Sequence, residues 1–436
     1  MDHEKLVFSQ QVEVDPGRTG SVSLPIQQTP ASPVRDTAPG RERRILVVAP
    51  EPFYEDRGTP IAIRSVLAAL SELHYDVDLL TYPVGQAVSI PGLQVIRTRN
   101  PLGFRRVPIG LSARKLLLDA VLVPTLWHQL KQRRYCCIHA VEEAAFPAVV
   151  FGRRLGIPVI YDMQSSLPEQ MVKYRVFRWD RIQWLLRGCE AWLLHRAEAV
   201  VSSAGLLQKV SELAPGKRAR EWRFPTLAAA PGDDTGAALR AELKIEGDVP
   251  VVVYAGTFEP YQGLSTLVAA AGRVVEHVPG TVFVLVGGDG APAEEIQREV
   301  VRGGLGQSMR LLGRKARTEM PAYLAMADVL VSPRCYGDNL PLKVFDYLAA
   351  GRPIVATDLP AHRALLDESR AILTEPNAAG LARGILEVIR DPARAADLAV
   401  SARAYAATNL GWHGFVLGVK ALYDEVVGQT APPASA

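Results

Sequence analysis

The sequence predicts an α/β protein made of two Rossmann-like domains that face a cleft. Three observations carry this. Short apolar runs of strand length alternate with longer stretches of helical periodicity. The alternation stops at residues 225–236, rich in Pro, Gly and Ala, and then begins again. Finally, 436 residues exceed what one hydrophobic core holds and fit two domains of roughly 180 residues each, with tails.

The first domain opens with residues 44–49 (RILVVA), a continuous apolar run of the kind buried on both faces of a parallel sheet. A loop over 50–60 leads to a helix expected at 61–73, with Thr59 as its cap and Pro60 in its first position. Strands are expected next at 77–82, 93–97, 135–140, 158–162 and 199–202. Helical patterns at 112–133, 144–155 and 168–196 separate several of them. The stretch 225–236 reads as the interdomain linker. In the second domain the expected strands are 249–255, 281–286, 309–312, 328–332, 353–357 and 371–374. Helices are expected at 263–277, from near Leu340, and at 412–427. The division expected is a disordered tail over 1–40, a first domain over 41–228, a second over 229–408, and a closing helix and tail over 409–436.

Composition narrows the function. With 48% hydrophobic and 22% charged residues the chain has the make-up of a soluble globular protein. A net charge of +3 gives no reason to expect a nucleic-acid partner. Cys136, Cys137, Cys189 and Cys335 have no C-x-x-C spacing and no neighbouring histidine pair. Disulfides and structural zinc are therefore not expected, which points to a reducing, cytoplasmic setting. No apolar signal region stands in the first forty residues, and no run is long enough to span a membrane.

The most informative window is 331–358, VSPRCYGDNLPLKVFDYLAAGRPIVATD. It reads as strand, polar loop, helix, glycine stop and strand, half of a nucleotide-binding unit. Lys343 falls in the first turn of the helix, where the macrodipole disfavours a cation. Its presence there makes sense if an anion occupies the helix N-terminus, with Arg334 in the preceding loop reaching the same anion. A solvated surface with two ordinary cations is the competing reading. Gly58, flanked by Arg57 and Arg64, lies just before a helix in the first strand–helix loop, where Rossmann-like domains place phosphates. Two stretches, 113–134 and 173–187, mix basic and apolar residues. They suit a membrane interface or a half-buried helix with its arginines in water.

This window resembles the donor-binding segment of family-4 retaining glycosyltransferases, Glu-x7-Glu followed by Ala-Met-Ala-x-Gly-x-Pro-Val-Val-Ala-Thr. Aligned on Gly351, Pro353 and Ala356-Thr357-Asp358, the chain has Asp338 and Asp346 at the two acidic positions. It is similar to a subgroup carrying Ser332-Pro333-Arg334, Gly337-Asp338-Asn339, Pro341-Leu342-Lys343 and Tyr347-Leu348. The resemblance implies the GT-B fold, with the last helix crossing back to the first domain. It also implies sugar transfer from a nucleoside-diphosphate sugar to an acceptor hydroxyl, with retention, without metal and with no cofactor beyond that co-substrate. Asp346 is then suited to accept hydrogen bonds from ribose hydroxyls. Asp338 would face the transferred sugar, although it reads equally as a cap or Asx-turn residue. Asn339, Leu340, Gly58 and Gly256 complete the expected donor side.

The departures from the pattern are as informative. In the loop 256–263, Thr257 and Gln262 stand where most members carry the arginine and lysine that hold the diphosphate. A departing diphosphate needs preorganised positive charge, so Arg334 and Lys343 are expected to supply it. Pro341 stands where relatives often have glycine, removing one N–H donor. Members often show His-x-His at the end of a first-domain strand; here His139 is followed by Val141 in the second place. Glu142 or Glu143 is expected to orient the acceptor hydroxyl or take its proton, with Asp162 and Arg57 on the acceptor side. The partners implied are a nucleotide sugar and a glycan or lipid-linked acceptor, at a cytosolic membrane surface, in glycolipid or cell-surface polysaccharide assembly. Two other readings stand: another GT-B chemistry such as sugar-nucleotide epimerisation, and a non-catalytic module that binds nucleotide sugar or a partner.

Overall fold

The structure, a computed structural model, describes residues 43–55, 58–107, 112–172, 179–226, 233–246, 248–337 and 341–428. The expected tail over 1–40, together with Arg57, Asp338, Asn339 and Leu340, lies outside the described residues.

The first sheet has seven parallel strands: β1 (Arg44–Ala49), β2 (Asp76–Thr81), β3 (Leu93–Arg97), β4 (Cys137–Val141), β5 (Val159–Met163), β6 (Ala199–Ser202) and β7 (Ala219–Glu221). Their order is β3-β2-β1-β4-β5-β6-β7. The second sheet has six parallel strands: β8 (Val251–Ala255), β9 (Val282–Val286), β10 (Met309–Leu311), β11 (Val329–Ser332), β12 (Ile354–Thr357) and β13 (Ile372–Thr374). Their order is β10-β9-β8-β11-β12-β13. In each sheet the order reverses beside the first strand, between β1 and β4 and between β8 and β11. Such a switch point opens a crevice beyond the carboxyl ends of the strands, where ligands bind in open α/β sheets.

The strands form where continuous apolar runs are buried on both faces; every residue of β4, β5 and β8 is buried. Asp78 of β2, fully buried, is an exception with an evident compensation. It accepts from Arg44 Nη1 at 3.0 Å, Arg133 Nη1 at 2.9 Å and the Tyr135 hydroxyl at 2.7 Å.

Several expected elements are redrawn. The first helix is Gly58–Glu72, so Thr59 lies inside its first turn and does not cap it. Pro60 is tolerated there because first-turn N–H groups have no intrahelical acceptor. The single helix expected over 168–196 is two, Leu167–Val172 and Asp180–Arg196, with 173–178 outside the described residues. The end of the expected linker is helical, in Asp233–Glu242. Gly236 is a packing glycine: a Cβ there would come within 2.7 Å of the Ala325 backbone in the facing helix Met320–Ala325. Of the two basic, apolar stretches, helix Ala113–Gln132 buries Leu118, Leu122, Leu126 and Leu130 at four-residue spacing and is a half-buried core helix.

The helix Trp412–Gly428 packs on Gly58–Glu72 of the first domain. Trp412 Nε1 donates to Glu72 Oε2 at 2.6 Å. Arg218 and Arg220 pair with Glu425 at 2.7 and 2.6 Å. Phe224 lies 6.5 Å from Phe345 and 5.7 Å from Phe415, ring centre to ring centre, joining the domains through an aromatic cluster.

Candidate active site

In the second domain, the loops that follow β8 and β11 meet at the switch point because two glycines permit it. Gly263 has φ +73°, and a Cβ there would fall 1.8 Å from Pro333 O. Gly256 has φ +152°, and a Cβ would fall 2.9 Å from Lys343 Nζ. Both require a residue without a side chain. Tyr347 crosses the same crevice beneath them, its hydroxyl accepting from Ala255 N at 2.9 Å.

Lys343 is the second residue of helix Leu342–Ala350. Its Nζ donates to Gln262 Oε1 at 2.8 Å and lies 3.9 Å from the centre of the Tyr254 ring. Loss of solvent pushes its pKa well below the usual lysine value, and the Arg334 charge lowers it further. Arg334 is 2% exposed, its guanidinium 5.1 Å from the centre of Tyr261. A desolvated ammonium beside a buried guanidinium is the charge pattern that a bound polyanion relieves.

Asp346 lies one helical turn beyond Lys343 and pairs with Arg317 Nη2 at 2.9 Å. With Leu342 and Phe345 it lines a small cavity shared with Ile61, Ala62 and Ser65 of the first-domain helix. The first turns of the two helices thus meet across the domain junction. At Gly58, which heads the first of them, a side chain would meet nothing within 4 Å.

The first-domain switch point has the opposite charge. Glu142, the residue after β4, has φ +52°, a left-handed conformation that costs a non-glycine residue about 1–3 kcal/mol. Its Oε1 accepts from Ser165 Oγ at 2.8 Å. Burial holds its pKa well above the usual carboxylate range, and neighbouring Glu143 adds to this. Glu143 pairs with Lys115 at 2.7 Å, and Glu51 lies 4.0 Å from the same ammonium. Asp119, hydrogen-bonded to the Tyr82 hydroxyl, is pushed up to about 6, chiefly by burial.

Asp162 requires a correction. It was expected on the acceptor side, but it is 1% exposed and points into the core. Its Oδ2 lies 3.2 Å from His139 Nε2 and its Oδ1 accepts from Gln164 Nε2 at 2.8 Å. Strand alternation puts it on the sheet face covered by the last helix, where the Tyr423 hydroxyl donates to His139 Nδ1 at 2.6 Å. This Asp–His–Tyr chain ties the last helix to the first sheet. Sequence reading also missed Tyr254, Tyr261, Lys115, Ser165, Arg317 and His362, whose roles come from tertiary contact and leave no spacing signal.

Residues 57–221 match a glycosyl transferase 4-like domain, and residues 249–391 match glycosyl transferases group 1. A GDP-mannose-dependent alpha-(1-6)-phosphatidylinositol monomannoside mannosyltransferase of Mycolicibacterium smegmatis is 29% identical over 191 residues, 42% of this chain and 50% of that protein. The chain thus spans about half the length of that relative. Sucrose-phosphate synthase from Thermosynechococcus elongatus superposes with a TM-score of 0.73 at 21% identity, over 88% of this chain and 99% of that one. Anabaena HepE in complex with UDP gives 0.69 at 17% identity, over 88% and 100%. Two domain matches in the expected order, on two parallel sheets arranged as in these structures, establish the architecture anticipated from the sequence: the chain has the GT-B fold, and each of its domains is similar to a glycosyltransferase domain.

Proposed function

We propose that the chain transfers a hexose from a nucleoside-diphosphate sugar, bound in the β8/β11 crevice, to a hydroxyl of an acceptor entering from the β1/β4 crevice. Lys343 is the observation that carries this reading. In the family pattern that the chain resembles, an arginine and a lysine on the first loop of this domain hold the diphosphate; here Lys343 reaches that loop from the helix start and ends on Gln262. Lys343 and Arg334 then stabilise the charge that develops on the departing diphosphate, a role a metal ion would otherwise fill. Metal-independent transfer is therefore the chemistry we assign, and retention is what the resemblance to family 4 implies for it.

Gly256 and Gly58 leave room for the phosphates and Asp346 accepts from the ribose; the donor-side role that the resemblance gives Asp338, Asn339 and Leu340 falls on residues outside the described ones. Glu142, with its raised pKa, holds the acceptor hydroxyl; Arg57, outside the described residues, is assigned to the acceptor side from the sequence. Domain closure excludes water and brings acceptor oxygen to anomeric carbon. The named relative uses GDP-mannose and HepE binds UDP, so GDP- and UDP-hexoses are the first donors to try.

The acceptor we assign is a glycan or lipid-linked sugar at the cytosolic membrane face, in glycolipid or cell-surface polysaccharide assembly. Trp179, Trp184 and Leu185 are 67%, 77% and 57% exposed, next to the exposed Arg181 and Arg187. Such a face suits an anionic lipid interface. No described helix is long and apolar enough to cross a membrane.

Release of nucleoside diphosphate from a panel of UDP- and GDP-sugars, with and without lipid-extract acceptors, tests the reading. It expects one donor to turn over only with acceptor. Donor binding without release under any acceptor favours a non-catalytic module, the reading encouraged by Thr257, Gln262 and Val141. Release of an isomerised sugar nucleotide without acceptor would favour an epimerase.

A further inference from the structure

We infer that His362 is a positioning residue, holding the Arg334 loop in register for the donor's diphosphate; the inference rests on the transfer reading above. His362 lies in the short helix Pro360–Arg363 after β12 and is fully buried. Both ring nitrogens are engaged. Nδ1 stands 2.7 Å from Thr357 O, an acceptor, so it carries the proton and donates there. Nε2 is then the acceptor for the Ser332 hydroxyl at 2.8 Å. Ser332 and Thr357 are the last residues of β11 and β12, neighbouring strands of the sheet. One imidazole therefore ties the two strand ends together.

The tie continues to the site. Thr357 Oγ1 donates to the backbone carbonyl of Arg334 at 2.6 Å, while the same hydroxyl lies 3.3 Å from His362 Nδ1. Each hydrogen-bond contact of the His362 ring thus falls on the ends of these two strands, one of them the threonine that holds Arg334. The neutral ring is essential to this arrangement, since a proton on Nε2 would remove the acceptor for Ser332. Burial lowers the His362 pKa to about 4, and the charges of Arg334 and Lys343 act in the same direction. A packing role alone would be met by an apolar side chain of similar volume. This constellation instead fixes where the backbone of one arginine leaves the sheet, and small displacements of a phosphate-binding group are costly.

The test uses the full-length chain with UDP and GDP, and with uridine and guanosine as controls that lack phosphate. Thr357→Val keeps the shape of the side chain and removes the hydroxyl that holds Arg334; His362→Gln keeps one donor and one acceptor but not the ring's fixed geometry. Titration calorimetry should show diphosphate affinity falling about tenfold in each, the worth of one well-placed hydrogen bond to the site. Nucleoside affinity, read by saturation-transfer NMR, should be unchanged. In the Arg334→Ala background, His362→Gln should cost nothing further, because its effect passes through Arg334. The inference is overturned if the variants lower the melting temperature yet bind diphosphate as the wild type does. It is equally overturned if the effects of His362→Gln and Arg334→Ala multiply. If His362→Gln does not fold, Thr357→Val decides the question alone. Failure of the transfer reading has a separate signature, the absence of acceptor-dependent nucleotide release by the wild type.

Discussion

Lys343 owes its unusual state to desolvation and to Arg334, both of which disfavour its proton. A diphosphate brought beside it reverses that balance and raises its pKa again. Binding should therefore take up protons at pH values between the lowered and the restored pKa. Titration of UDP or GDP at a series of pH values below the ordinary lysine pKa, in buffers of different ionisation enthalpy, should show this uptake, and Lys343→Met should abolish it. Uptake of equal size in the variant would assign the linkage elsewhere. The same residue shows what a sequence discloses. A cation in a helix's first turn is electrostatically out of place, so Lys343 and Arg334 were legible as anion-site candidates. Tyr254 and Tyr261, whose rings lie against those cations, were not. They lie far away in sequence and look like ordinary aromatics, one on a strand and one in the loop after it. Asp162 misled for a related reason: a strand-end acid looks catalytic until the face it points to is known.

At the level of elements, the glycines that let the two donor-side loops touch should be the least replaceable. Gly263→Ala places a Cβ 1.8 Å from Pro333 O in a left-handed conformation. It should cost at least about 2 kcal/mol in chemical denaturation. A value near zero would mean that the two loops do not pack as described. His362 adds a pH dependence of known sign. Its folded pKa is depressed to about 4, so its contribution to stability is present above the unfolded value, near 6.5, and is lost as pH falls through about 4. His362→Gln should flatten the fall in melting temperature between pH 6.5 and 4. Strands were legible wherever an apolar run was bounded by turn residues, as in β1 and β8. Helix Asp233–Glu242 was not, because Gly236 carries the composition of a linker while its function is close helix packing. The start of a separate helix at Asp180 was hidden by an unbroken amphipathic pattern.

For the whole molecule, the two sheets, each with a crevice at its switch point, place a cationic crevice and a carboxylate-rich crevice on different domains. The last helix holds the domains together through Trp412, Tyr423 and Glu425. Tyr423→Phe leaves His139 Nδ1 buried without its donor and should destabilise the chain by about 1–3 kcal/mol. Unchanged stability would show that the Asp162–His139–Tyr423 chain contributes nothing to the clasp. The architecture was legible from the alternation and its restart, helped by the resemblance at 331–358. The unlike charge of the two crevices was not, because Lys115, Glu51 and Glu143 meet only in the fold.

The central claim is that Lys343 supplies from the helix the diphosphate-binding charge that the family pattern would place in the loop, where this chain has Gln262. Calorimetric titration of UDP and GDP into the wild type, Lys343→Met and the double variant Lys343→Met/Gln262→Lys tests it most directly. The account predicts that Lys343→Met loses at least about tenfold in affinity, in keeping with a lost charge-assisted hydrogen bond, and that Gln262→Lys restores most of it. Diphosphate binding by Lys343→Met with wild-type affinity would contradict the account.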